Sequence, residues 1–294
     1  MTNSKKKLWL LILTLFATCL IIEKGRGFKG FYNPYFPREL AFQTLENQNL
    51  KLDVYFPKDT LKKHPTLIYF HGGSWVSGKK CKVLERYRNF TVKTLLDNNI
   101  EIISVDYRLI GLNNHLEDCI SDCQKAVDFC IKNAEYLKID TSKLALWGSS
   151  AGAHLALMTY ILEPENQKFK FIIDDFAPTN ISVMWSKAPD FFRKEISTYF
   201  YSLKEKDLEK FDSLSKFFSP VNYTEKLKKI PVLISHGNTD KIVNISQSEV
   251  LMDSLKTNAE FFVYENLGHG FKGMDSVRIK KYAERTLNFC KRNF

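Results

Sequence analysis

The chain has no C-x-x-C pair, no long tract of one charge sign, no low-complexity linker and no internal repeat. Nor does it contain an uncharged apolar run of the roughly twenty residues that span a bilayer comfortably. Outside the first 22 residues its cysteines are Cys81, Cys119, Cys123, Cys130 and Cys290, an odd set with no zinc-type spacing. Cys119 and Cys123 are four apart in a helical pattern and would meet on one face, which leaves a disulfide or a metal open. Semi-buried thiols are the plainer reading, so no metal site and no cofactor is expected. The 43 basic side chains against 33 acidic ones give a net charge of +10, spread as pairs such as Lys62-Lys63, Lys79-Lys80, Lys228-Lys229 and Lys280-Lys281. With no basic stripe interleaved with aromatics, this reads as a solvated surface and excludes a nucleic-acid partner.

The longest uncharged run, Leu8 to Ile22, follows Lys5-Lys6-Lys7 and is closed by Glu23-Lys24-Gly25-Arg26. A basic stretch before about fifteen apolar residues reads as a secretory signal peptide over 1–22. Cleavage near Ala17-Thr18-Cys19, retention as a membrane anchor, lipidation at Cys19 and a buried helix are the alternatives. The expectation is an exported protein: periplasmic, secreted or membrane-anchored. Loss of the three lysines would lower the net charge to about +7.

Residues 28–294 read as a single domain. Phe28 to Leu50 is aromatic and irregular, which suits an arm wrapping the domain. Leu50 to Phe56 alternates with period two and ends at Pro57, predicting an edge strand. Continuous apolar runs then predict strands covered on both faces at Pro65–Phe70, Glu101–Val105, Leu144–Trp147, Phe169–Phe176, about Pro231–His236 and Ala259–Glu265. Helical patterns lie between them, to about Asn98, from His115 to Leu137 and to Leu162. Alternating strands and helices imply an α/β fold with a mostly parallel, doubly wound sheet. A helical insertion at about 180–228 carries Trp185, Phe191, Phe192, Tyr199, Phe200, Tyr201, Phe211, Phe217 and Phe218. These aromatics either line an acyl or aryl pocket as a lid or pack the insertion onto the sheet.

The chemistry concentrates at four places. Gly148-Ser149-Ser150-Ala151-Gly152 follows an apolar strand and opens an alanine-rich helix. That is the nucleophile elbow, in which Ser150 tips a sharp turn and the two glycines remove Cβ atoms that would clash. His71-Gly72-Gly73 ends a strand. Backbone N–H groups of Gly72 and Gly73, with that of Ser74 as a further candidate, can there meet that of Ala151 around a developing oxyanion, each donor worth about 3 kcal/mol. Asp240 stands on a loop just past the strand ending at His236-Gly237. His269, between two glycines, follows the last strand. Ser150, Asp240 and His269 stand in the chain order of one triad type, with His269 as base and Asp240 fixing its tautomer. Of the other histidines, His71 is expected to orient its own loop, His154 to pack into the sheet, His236 to order the acid loop, and His64 and His115 to lie on surface or loops. Asp240 is preferred over Asp174, Asp175 and Glu265.

His71-Gly72-Gly73-Ser74-Trp75, Asp106-Tyr107-Arg108-Leu109, the elbow with His154, His236-Gly237 with Asp240, and Gly268-His269-Gly270-Phe271 together resemble an α/β-hydrolase. The resemblance is to the carboxylesterases related to hormone-sensitive lipase and to bacterial feruloyl/acetyl esterase-like domains, over about Leu50 to Phe294. It implies a metal-free serine esterase working through an acyl-enzyme on Ser150. Ser149 and Ser74 stand where the lipase-like branch commonly has aspartate and a third glycine, which points to the acetyl/feruloyl and formamidase-like side and away from long-chain lipids. The expected substrate is a small-molecule or carbohydrate-linked ester with a short or aromatic acyl group. An amide-cleaving relative and a non-catalytic binding module are the alternatives.

Overall fold

In chain order the strands are β1 (Arg38–Thr44), β2 (Asn49–Tyr55), β3 (His64–Phe70), β4 (Glu101–Val105), β5 (Ile139–Ser149), β6 (Phe169–Asp175), β7 (Val232–Gly237) and β8 (Ala259–Tyr264). The computed structural model describes residues 37–46, 48–59, 61–163, 168–186, 190–203 and 207–294. The chain divides into Met1–Phe36 and Pro37–Phe294. The signal or anchor segment at 1–22 and the first part of the aromatic arm lie outside the described residues. Among the described residues, no helix is long and apolar enough to cross a membrane.

The eight strands form one sheet of order β1-β2-β4-β3-β5-β6-β7-β8. β1 and β2 run antiparallel, β2 is antiparallel to β4, and every pairing from β4 to β8 is parallel. β4 and β7 are buried along their whole length, as helices on both faces require of a parallel strand. The α-helices of six residues or more are α1 (Tyr87–Leu96), α2 (Leu116–Lys132), α3 (Ala151–Leu162), α4 (Ile181–Ser186), α5 (Asp190–Tyr201), α6 (Leu208–Phe217), α7 (Ser246–Leu255) and α8 (Ser276–Asn293). Helices α4 to α6 occupy the insertion between β6 and β7. The terminal helix α8 buries Tyr282, Ala283, Thr286, Phe289 and Cys290, one stripe at helical spacing, and packs against α1.

Two expectations are corrected. The arm is not irregular throughout, because Arg38–Thr44 pairs with β2, and β2 is therefore an interior strand with Leu52 and Val54 fully buried. In β1 only Leu40 and Phe42 turn toward the core, among charged and polar neighbours, and two apolar positions are too few to announce a strand. β5 also begins at Ile139, five residues before its apolar run at Leu144. Strand order reverses at β3, with β4 on one side and β5 on the other, and ligand crevices form at such a switch point beyond the carboxyl ends.

Candidate active site

Ser150 sits where β5 ends and α3 begins, at φ 55 and ψ −124. A non-glycine residue there stores about 1–3 kcal/mol unless its surroundings over-determine it. They do. The Ser150 N–H donates to the Asp175 carbonyl at 2.8 Å, while its own carbonyl accepts from the Ala153 and His154 N–H groups at 2.9 and 3.1 Å. A Cβ on Gly152 would lie 2.0 Å from the Phe70 carbonyl oxygen, so only glycine lets the first turn of α3 pass this close to the end of β3.

The His71-Gly72-Gly73 loop lies against this elbow: a Cβ on Gly72 would be 3.2 Å from that of Ser150. Gly73 has φ +138, which side chains rarely adopt. Among the described residues neither the Gly72 nor the Gly73 N–H is spent on another backbone group, and Ala151, first residue of α3, has no acceptor within its helix. His71 stacks on Tyr107 at 4.3 Å and 17°, and the Tyr107 hydroxyl donates to the His71 carbonyl at 2.7 Å. Its ring Nδ1 lies 3.1 Å from the Gly72 carbonyl. Burial pulls the His71 pKa down to about 3, so it is a neutral prop for the loop and not a proton carrier.

His269 Nε2 lies 3.0 Å from Ser150 Oγ, and its Nδ1 lies 2.7 Å from Asp240 Oδ2. The other Asp240 oxygen accepts the Ile242 and Val243 N–H groups at 2.8 and 3.0 Å. His236 Nε2 is 3.5 Å from Oδ2. Burial works against the Asp240 carboxylate, yet hydrogen bonds from His236, His269 and the Ile242 amide hold it well below the usual range, fully ionised. Phe176 sets its ring edge-to-face on His269 at 5.1 Å and packs with Tyr87, Tyr264, Leu267, Phe271 and Tyr282 in a small core beneath the His269 loop.

The structure thus brings Ser150, Asp240 and His269 into one hydrogen-bonded line, with Gly72, Gly73 and Ala151 beside the serine. His236 holds the acid loop, its Nε2 donating to the Val243 carbonyl at 2.9 Å and its Nδ1 accepting from the Ser248 hydroxyl at 2.7 Å. His154 departs from expectation. It faces Trp75 and the insertion instead of the sheet, with Nε2 2.8 Å from the Phe218 carbonyl, and burial pulls its pKa down to about 4. His64 is buried at the start of β3, and His115 caps α2 while reaching the Tyr199 carbonyl at 2.8 Å. Asp174 and Asp175 are buried on β6, and Glu265 is exposed.

Sequence reasoning missed Tyr107, Phe176 and Asp175. Tyr107 belongs to a recognised motif, but no spacing rule says that its hydroxyl reaches a residue 36 positions away. In the insertion, Tyr201 stacks on Phe218 at 5.6 Å and packs on the buried Phe211, whereas Phe200 meets Trp75, just past the His71-Gly72-Gly73 loop, at 5.5 Å. The aromatics therefore divide between packing and the site. The side chains of Phe191 and Phe192 lie outside the described residues. Among the described residues no group of three or more His, Cys, Asp or Glu could hold a metal ion.

Sheet order, switch point, and a hydroxyl, imidazole and carboxylate converging at the carboxyl edge define an α/β-hydrolase. Residues 52–255 match the BD-FAE family model, and the chain belongs to that family. It is 23% identical over 278 residues to the isoprenylcysteine alpha-carbonyl methylesterase ICME of Arabidopsis thaliana, covering 88% of this chain but only 62% of that protein. Over 126 residues it is 33% identical to an arylesterase of Saccharolobus solfataricus, covering 42% of this chain and 38% of the relative. The solved structure of the Thermogutta terrifontis esterase Est2 superposes with TM-score 0.70 at 22% identity, covering 87% of this chain and 92% of that one. The chain spans less than two thirds of the length of these curated relatives.

Proposed function

We propose that the chain is a serine carboxylesterase whose nucleophile is Ser150, whose base is His269 and whose orienting acid is Asp240. The observation that carries this is the 3.0 Å approach of His269 Nε2 to a hydroxyl on a strained elbow, with 2.7 Å between the far ring nitrogen and an ionised carboxylate. The Asp240 carboxylate keeps the proton on Nδ1, so Nε2 is free to accept the Ser150 proton as Oγ attacks an acyl carbonyl. The carbonyl oxygen becomes an alkoxide and takes hydrogen bonds from the Gly72, Gly73 and Ala151 N–H groups. His269 then protonates the departing alcohol, leaving Ser150 acylated. Water, activated by the same imidazole, releases the acid and restores the hydroxyl.

The proposed substrates are esters of short-chain or aromatic acids, carbohydrate-linked ones included. The methylesterase and arylesterase relatives both cleave esters by name, which supports ester over amide. The contact between Trp75, just past the Gly72-Gly73 loop, and Phe200 of the insertion supports a compact acyl site. The basic and then apolar 1–22 stretch supports export, with membrane attachment if it is retained. A fluorophosphonate probe should label Ser150 stoichiometrically, and Ser150→Ala should abolish both labelling and p-nitrophenyl acetate hydrolysis. Hydrolysis retained in Ser150→Ala would overturn the assignment. Faster cleavage of a matched anilide than of the ester would favour the amide-cleaving alternative.

A further inference from the structure

Beneath the elbow lies a fully buried carboxylate that the reaction above does not use. Asp175 Oδ2 accepts from the Tyr87 hydroxyl at 2.8 Å, the Trp147 indole N–H at 2.9 Å and the Tyr282 hydroxyl at 2.8 Å, and Oδ1 lies 2.7 Å from the same Tyr282 hydroxyl. Ser149, its neighbour across the β5–β6 register, stands 3.5 Å from Oδ2 and accepts from the Tyr69 hydroxyl at 3.2 Å. One side chain thus ties together β5, α1 and α8, and β3 joins through Ser149. Burial raises the Asp175 pKa, and the hydrogen bonds donated by Trp147, Tyr282 and Tyr87 work against that rise.

The backbone of the same residue reaches both reacting groups. The Asp175 carbonyl receives the Ser150 N–H at 2.8 Å. The next residue, Phe176, has φ 50 and lays its ring on His269. Ser150 and Phe176 are both non-glycine residues at positive φ, one above and one beside Asp175, and each conformation relaxes unless its surroundings forbid it.

We infer that Asp175 is a positioning residue that aligns nucleophile and base together, its carboxylate locking a node from which Ser150 is held through the carbonyl and His269 through Phe176. The inference rests on the serine-esterase reading. If it is correct, loosening the node separates Ser150 Oγ from His269 Nε2 without altering substrate contacts, so kcat falls and KM does not.

The test uses Asp175→Asn and Tyr282→Phe, the second removing one hydroxyl while keeping its ring in the core. Active sites are counted by stoichiometric fluorophosphonate titration, and kcat and KM for p-nitrophenyl acetate are then expressed per titrated site. Asp175→Asn should lower kcat about a hundredfold with KM shifted less than about threefold, the scale of a 1 Å misplacement. Tyr282→Phe should lower kcat about fivefold, and the double variant should be no slower than Asp175→Asn, as members of one network behave. If Asp175→Asn does not fold, Tyr282→Phe decides alone. A purely structural role predicts fewer titratable sites with kcat per site within about twofold of the parent, and that result overturns the inference. Failure of the underlying reading looks different, because Ser150→Ala would then keep its hydrolysis.

Discussion

Glu101 stands at the amino end of β4, the end of the sheet away from Ser150, and is fully buried with neither carboxylate oxygen hydrogen-bonded among the described residues. Its cross-strand neighbour Thr66 spends its hydroxyl proton on the His64 carbonyl at 3.1 Å. Burial pushes the Glu101 pKa from 4.5 up to about 9. A carboxyl whose pKa is higher folded than unfolded contributes full stability below the unfolded value and loses it as pH rises toward the folded one. Between these limits each pH unit costs about 1.4 kcal/mol, so near pH 7 ionisable Glu101 costs about 3 kcal/mol relative to a neutral residue of the same shape. Glu101→Gln should therefore raise the urea-unfolding free energy near neutrality by up to about 3 kcal/mol, about 5–10 °C in Tm. It should also flatten the decline of stability between about pH 5 and pH 9. Urea titrations of both proteins at several pH values measure this. Parallel stability-versus-pH curves would refute it, since they would mean that Glu101 is already ionised and partnered, or solvated, in the folded chain.

Other expectations follow from the site. Asp240→Asn should keep the fold and lower kcat by about 10³–10⁴, because the amide no longer enforces the His269 tautomer; stopped-flow hydrolysis of an activated ester checks it, and a loss under about tenfold would remove Asp240 from its role. Gly152→Ala sets a methyl 2.0 Å from the Phe70 carbonyl, a backbone atom that cannot swing aside. It should destabilise the domain by more than about 3 kcal/mol, read as a lowered urea midpoint. Phe200→Ala should move the preferred acyl chain of p-nitrophenyl esters to greater length by opening space beside Trp75, whereas an unchanged profile would reduce Phe200 to packing.

The parts of this molecule legible in its sequence are those where function or geometry allows one residue type. The elbow needs glycines because two backbones touch there, and the strands covered on both faces are continuous apolar runs because nothing else is soluble in the core. Ser150, Asp240 and His269 could be named because each follows a strand end and chain order assigns the roles. What stayed hidden depends on partners remote in sequence. β1 has only Leu40 and Phe42 to declare it, Asp175 looks like any acid at a strand end until tyrosines from α1 and α8 converge on it, and His154 gives no sign in its own helix that its partner is Phe218. Hydrogen bonds of this kind join residues 64 to 107 positions apart, beyond the reach of any local pattern.

Four of the carboxylates buried among the described residues show how the fold distributes charge. Asp240 and Asp175 sit at the carboxyl edge with donors on every side. Asp174, one residue from Asp175, has the Ala177 N–H on one oxygen and no partner among the described residues on the other, and burial pushes its pKa up to about 7. Glu101, at the opposite end, has no hydrogen-bond partner among the described residues and is pushed up to about 9 by burial. A buried anion persists only where donors replace water, so the penalty grows with pH at both residues but stops growing near pH 7 for Asp174 and near pH 9 for Glu101, while Asp240 is already ionised. Alkaline inactivation should then begin as unfolding from the amino end of β4, not as failure of the catalytic line. Thermal inactivation near pH 9 should be slower in Glu101→Gln than in the parent, with the two half-lives converging near pH 5. Equal half-lives at both pH values would mean that the chain fails first somewhere other than Glu101.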